Sequence, residues 1–186
     1  MDHIKYCNEV LSRVEALMYQ ELSGMAYWKC EFVGTDFIRA QTIKGKTVEE
    51  IVESCKKPII ENGLVSSIDY NTDGKLLLKL TVKNCIHLEK ERLVKKELVA
   101  PYICPIANMV LDQIHEKLKY QTSYLSKIAI NDKEKKCLLY MALYKTHDDI
   151  GQVTDWLKGD PDAAWLKAQP SQILASEDRK KQKKKK

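Results

Sequence analysis

Residues 64–86, LVSSIDYNTDGKLLLKLTVKNCI, decide the fold. Leu64 to Tyr70 and Lys75 to Ile86 flank Asn71-Thr-Asp-Gly74, a turn of residues that tolerate positive φ or bond their own backbone, so the stretch reads as a β-hairpin. Leu76, Leu78, Leu80 and Val82 share one face of the longer arm, because side chains alternate along a strand. Such a face needs helices to cover it. Just upstream, Thr47-Val-Glu-Glu50 is a capping box that opens a helix with Val48, Ile51, Val52 and Cys55 inward. Pro58 should bend or shorten this helix, and Gly63 closes the segment.

Working outward, Ile4, Cys7, Leu11, Val14, Met18 and Leu22 recur every three or four residues and predict an amphipathic helix over 3–23 whose stripe packs on the body. Trp28, Cys30 and Phe32 alternate with charged residues, Gly34-Thr35-Asp36 reads as a turn, and Phe37 to Ile43 reads as a second short strand. Beyond the central hairpin, charged Glu89 to Glu97 reads as an exposed loop or helical extension. Pro101 to Tyr120 carries Ile106, Met109, Val110, Ile114 and Leu118 at helical spacing. A third hairpin runs from Leu125 to Ile130, through polar Asn131 to Lys136, to Cys137 to Tyr144. Helix then hairpin, three times over, predicts an α+β fold: an antiparallel sheet covered by amphipathic helices.

A chain of 186 residues, 44% hydrophobic and 31% charged, suits one globular domain, placed at 1–145. Gly151, Gly159, Pro161 and Pro170 break up 146–178, an extension expected to dock through Trp156 and Trp165. The net charge of +5 suggests nucleic acid until it is located. Seven of the 31 basic residues lie in 179–186, which leaves 24 against 26 acidic residues and a body of net −2. That lysine-rich tail reads as disordered, with weak contact to anionic surfaces. The chain shows no run long enough for a transmembrane segment and no basic-then-apolar signal, so a cytoplasmic protein is expected. In that compartment Cys7, Cys30, Cys55, Cys85, Cys104 and Cys137 stay thiols.

Dinucleotide and nucleoside-triphosphate glycine loops, a nucleophile elbow and a His-Glu-x-x-His helix are all missing. Two local patterns could carry chemistry. Cys85 and His87 lie two apart, so in a strand they share a face and could both reach a metal or ligand. An unbulged strand points them away from the leucine face, and a bulge would reverse that. Cys104 precedes Pro105 and so caps a helix, where the dipole favours a thiolate and lowers its pKa; the alternative is a small buried core residue. Cys137 reads as core packing at the head of a strand. Asp112, His115 and Glu116 read as a solvated helix face, the pair His3 and Cys7 as a poor chelate on a fraying end, and His147-Asp148-Asp149 as a loop cap.

The stretch from Gly63 to Leu143, about 80 residues, resembles the vinyl-reductase-type hydrocarbon-binding domain, a small-molecule-binding module related in fold to TRAPP-type trafficking subunits. The resemblance is carried by Thr47 to Gly63 leading into a hairpin, by Leu76 to Cys85, by Ile103-Cys-Pro-Ile-Ala-Asn108 opening a helix, and by Ile128 to Met141 with its polar turn ahead of Cys137. It implies a pocket between helices and sheet, with cysteines near its mouth at Cys85, Cys104 and Cys137. The turn from Asn131 to Lys136 departs from the family in lacking glycine, and no helix-turn-helix is attached.

Three functions follow as expectations. The first is binding or sensing of a small apolar ligand, with Cys104, Cys85 and Met109 at a ligand or redox site and Cys85, His87, Cys104 and Cys137 holding zinc or iron. The second is a non-catalytic interaction or regulatory subunit that forms a homodimer through its amino-terminal helix. The third is a thiol-dependent enzyme with Cys104 as nucleophile.

Overall fold

The computed structural model describes residues 2–22, 31–72, 77–97, 102–124 and 128–145. Its elements are α1 (His3–Leu22), α2 (Thr35–Arg39), α3 (Val48–Glu61), β1 (Ser67–Thr72), β2 (Leu77–Lys83), α4 (Leu88–Lys96), α5 (Pro105–Leu118), β3 (Gln121–Tyr124), β4 (Ala129–Asn131) and β5 (Lys136–Tyr144). The chain is α+β, with one antiparallel sheet in the order β1-β2-β5-β3 and β4 also paired to β5.

The central hairpin forms as its alternation predicts. Ile68 pairs with Val82 and Tyr70 with Leu80, while Leu80 and Leu139 meet across β2 and β5. Leu78, Leu80, Val82, Leu139 and Met141 are buried with Ile51, Val52, Ile59, Ile106, Val110 and Ile114 from α3 and α5 in a single core. Burial of each such side chain contributes about 1.5–3 kcal/mol, so this interface supplies most of the driving force. Residues 137–144 are buried without a break, as expected of a strand paired on both edges.

Thr47 caps α3 by accepting from the Glu50 N–H at 3.2 Å, but Glu50 returns its carboxylate to the Lys46 N–H at 2.7 Å, one residue beyond the box. Pro58 does not shorten α3. It removes only one donor near the end of the helix, and Ile59, fully buried, anchors the last turn.

Two expectations are corrected. Where a strand was predicted from Phe37, the chain forms α2, one turn wrapped against α5. Gly34 makes this close approach achievable: at φ 90°, a Cβ there would stand 2.9 Å from the Pro105 Cβ. Three full helix–hairpin repeats are therefore not formed; the partner run, Trp28 and Cys30, lies outside the described residues, as do 146–186. The second correction concerns α1. The helix spans nearly the predicted residues, but Asn8, Ser12, Glu15 and Ala16 face the body, and Ile4, Val10, Val14 and Leu17 face solvent.

Candidate functional site

Two polar neighbourhoods stand out, one in the packed interior and one open to the surface. The first lies where α1, α4 and residues 102–104 meet. Lys90 is fully buried, and its ammonium donates to Glu15 Oε2 at 2.7 Å, to the Ile103 carbonyl, and to Glu91 Oε1 at 2.7 Å. Glu15 Oε1 accepts from the N–H groups of Tyr102 and Ile103 at 2.7 and 3.1 Å, while the Tyr102 hydroxyl donates to the Glu15 carbonyl. One cation is thus shared by two buried carboxylates. Glu91 Oε2 has no hydrogen-bond partner among the described residues. Burial pushes the Glu91 carboxyl up to about 8, against the pull of Lys90 and with repulsion from Glu15 adding to the rise. The rise favours the protonated form of Glu91, in which one ammonium is balanced against the single carboxylate of Glu15.

Beside this cluster the chain gathers three thiols. β2 stops at Lys83, and Asn84, at φ 49°, turns the backbone so that Cys85 packs against the core rather than continuing the outer strand face. Cys104 caps α5, accepting from the Ala107 N–H at 3.5 Å, and Cys137 heads β5 opposite Val82. Burial dominates all three thiols: Cys85 is pushed up to about 11, and Cys104 and Cys137 well above the ordinary thiol range, with Cys85 adding to the rise at Cys104 and both of these adding to it at Cys137.

The second neighbourhood is a cleft of about 340 Å³ between α2, α5 and the edge of the sheet. Leu111, Phe32 and Tyr144 supply apolar lining, and Glu31, Arg39, Asn108, Asp112, His115 and Glu116 supply polar groups. Arg39 grips Asp112 with Nε 3.1 Å from each carboxylate oxygen, tying α2 to α5 across the cleft. His115 Nδ1 lies 2.8 Å from the Tyr120 carbonyl, which orients the ring, and Asn108 donates to the Val33 carbonyl at 3.1 Å. Burial raises the Glu31 pKa despite the opposing His115, and it raises Tyr144 with help from Glu31.

No family model and no curated protein matches the chain. Among solved structures it is similar to the phenol-responsive sensory domain of the transcription activator PoxR, crystallised with phenol. The two chains are 11% identical at a TM-score of 0.48, over 79% of this chain and 80% of that one.

Against this geometry the sequence-derived candidates fall as follows. Cys85, Cys104 and Cys137 converge, although they are far apart along the chain. His87 caps α4, its N–H 3.4 Å from Cys85 Sγ, and burial pushes its imidazole down to about 4, with Lys90 adding to the drop. Met109 is buried core, its side chain near Gly34. Among the described residues no three His, Cys, Asp or Glu side chains stand at the spacing a zinc or iron ion needs, so no chemistry is routed here through a metal. Of the two readings of Cys104, a helix-capping thiolate and a small buried core residue, its burial fits the second. Cys104 does cap the helix, but burial of the charged form outweighs the helix dipole, which is worth about 0.3–1 kcal/mol.

Sequence reasoning missed Lys90, Glu91 and the cleft. A signal existed for both: Lys90 and Glu91 lie one turn before apolar Val94, and Asp112, His115 and Glu116 share one face of α5 at i, i+3 and i+4. Cysteine labelling checks the assignment of inert thiols. With iodoacetamide near pH 8, exposed Cys7 reacts readily, while Cys55, Cys104 and Cys137 react slower by about 100-fold or more until the chain unfolds. Peptide mapping reads each rate, and a Cys104 as fast as Cys7 would contradict this burial.

Proposed function

We propose that this domain is a non-catalytic binding or sensing module that takes a small molecule in the cleft between α2, α5 and the sheet edge. The observation that carries it is convergence. Arg39 and Asp112 join α2 to α5, and the imidazole and carboxamide of α5 stand with the Glu31 carboxyl, from the residues before α2, around apolar Leu111 and Tyr144 in a volume suited to a small ligand. The helix–sheet interface, where the family resemblance implied a pocket of leucine, isoleucine and methionine, is filled by its own side chains. The ligand class is accordingly amphipathic rather than purely apolar: a ring or short chain against Leu111 and Tyr144, and a hydrogen-bonding group turned toward His115 or Arg39. Thiol catalysis is disfavoured, because a nucleophile at Cys104 would have to ionise in full burial.

Ligand-observed NMR with fragments drawn from phenols, amines, carboxylic acids and plain hydrocarbons tests this reading. Polar-headed fragments should bind, and Leu111→Trp, which fills the cleft, should weaken them by at least about 10-fold while Cys85→Ala leaves them unchanged. Binding that survives Leu111→Trp, or binding of plain hydrocarbons alone, would overturn it.

A further inference from the structure

The inverted setting of α1 leaves a surface that the sheet does not use. Its inner face is pinned: Glu15 is held by Lys90 and two backbone N–H groups, and the Asn8 carboxamide donates to the Ile86 carbonyl at 2.7 Å. Met18 and Leu22 of the predicted stripe pack on the body, but rotating the helix to bury its other apolar residues would strand these groups, so those residues stay outside. There Ile4, Tyr6, Val10, Val14 and Leu17 are 54%, 53%, 46%, 43% and 50% exposed, and Cys7 is exposed beside them.

The spacing of this face narrows the choice of occupant. Cys7, Val10, Val14 and Leu17 follow one another at intervals of three, four and three, the alternation of a coiled-coil seam, with β-branched Val14 and then Leu17 as paired seam positions. The same alternation reaches His3 at one end and Glu21 at the other. Both lie within α1, whose 20 residues span roughly 30 Å. About a centre at Ser12 the seam is complementary to its own reverse: Val10 meets Val14 of a second copy, Cys7 meets Leu17, and the His3 imidazole meets the Glu21 carboxylate. A parallel pair would instead set Glu21 against Glu21. Arg13 flanks the seam, but Glu97 of its own chain lies 3.4 Å from it and blunts repulsion between two copies. An isologous contact of this kind closes after two subunits.

We propose that α1 is a self-association surface and that two copies of this chain pair antiparallel through Cys7, Val10, Val14 and Leu17. This goes beyond the ligand reading and stands independently of it, since α1 does not line the cleft.

Light scattering on the full chain across micromolar concentrations should show a dimer. Val10→Glu with Val14→Glu should raise its dissociation constant by at least about 100-fold while the circular dichroism spectrum stays unchanged, because both side chains face solvent in the monomer. Orientation is read in a Cys7→Ser background: Val10→Cys and Val14→Cys chains should crosslink when mixed and far less when kept apart. A monomer at high micromolar concentration, as expected if residues 146–178 of the same chain cover this face, overturns the proposal. So does a dimer indifferent to the glutamates, or crosslinking of Val10→Cys chains to one another.

Discussion

Lys90→Met should destabilise the domain by about 3–5 kcal/mol, out of a total expected to be on the order of 5–15 kcal/mol. Methionine nearly matches the volume of lysine, so little of the loss comes from packing. It comes from Glu15, whose carboxylate keeps the N–H groups of Tyr102 and Ile103 but loses its buried cation. The Ile103 carbonyl loses a donor as well. Three segments distant in the chain are released together: α1, α4 and the strand-like approach to α5. Urea unfolding followed by circular dichroism measures the change. A loss below about 1 kcal/mol would show that water reaches the site and that the cluster does not clip these segments together. Adding Glu15→Gln to Lys90→Met should recover part of the stability, since it removes the stranded charge.

The second large effect is on pH dependence. In the unfolded chain the Glu91 carboxyl titrates at its ordinary 4.5, and in the fold at about 8. Between those values unfolding releases a proton, so the contribution of Glu91 is full below 4.5 and is lost as pH rises through 8. His87 runs the other way. Its folded pKa is lowered from 6.5 to about 4, so its contribution is full above 6.5 and is lost as pH falls through 4. The two slopes cancel between about 4.5 and 6.5. A net fall of about 1 kcal/mol should remain between pH 6.5 and 8, at 1.36 kcal/mol per pKa unit, because Glu91 is half titrated at 8 and the unfolded His87 still half titrated at 6.5.

Lys90, with its pKa raised by Glu91 and Glu15 against the lowering effect of burial, is charged throughout this window and adds no slope. Glu91→Gln should abolish the fall between pH 6.5 and 8 and uncover the rise from His87 below 6.5. Urea midpoints of both proteins across the range test this. Parallel profiles for the two would mean that Glu91 is ionised in the fold.

Much of the architecture was legible in local spacing. The hairpin at 64–86 formed because alternation along its arms is a property of a dozen adjacent residues, although Asn71 and Thr72, expected in its turn, extend β1 and 73–76 lie outside the described residues; Thr47 and Cys104 cap helices for equally local reasons. The α+β class followed from the order of such elements. Spacing failed where two conformations shared one pattern: Phe37 to Ile43 alternates acceptably for a strand, yet Gly34 lets the chain turn tightly against Pro105 and form α2.

The candidate site was legible only in part. Core packing was legible for Cys137 at the head of its strand, whereas Cys104 stood open between a helix-capping thiolate and a buried core residue, since desolvation depends on everything packed around a thiol.

By itself, the sequence determined most of the helices and strands and that the sheet is antiparallel, because those outcomes depend on neighbours a few residues away; α2 and β3 were exceptions. Tertiary structure alone decided which face of α1 turns inward. Hydrophobic periodicity predicts burial of Ile4, Cys7 and Val14 together with Leu11, Met18 and Leu22, but Glu15 meets Lys90 from 75 residues further along the chain and leaves the first three exposed. A buried carboxylate with a cation and two backbone donors is tolerated where an unpaired one is not. That contact exists only once α1, α4 and the segment before α5 have come together.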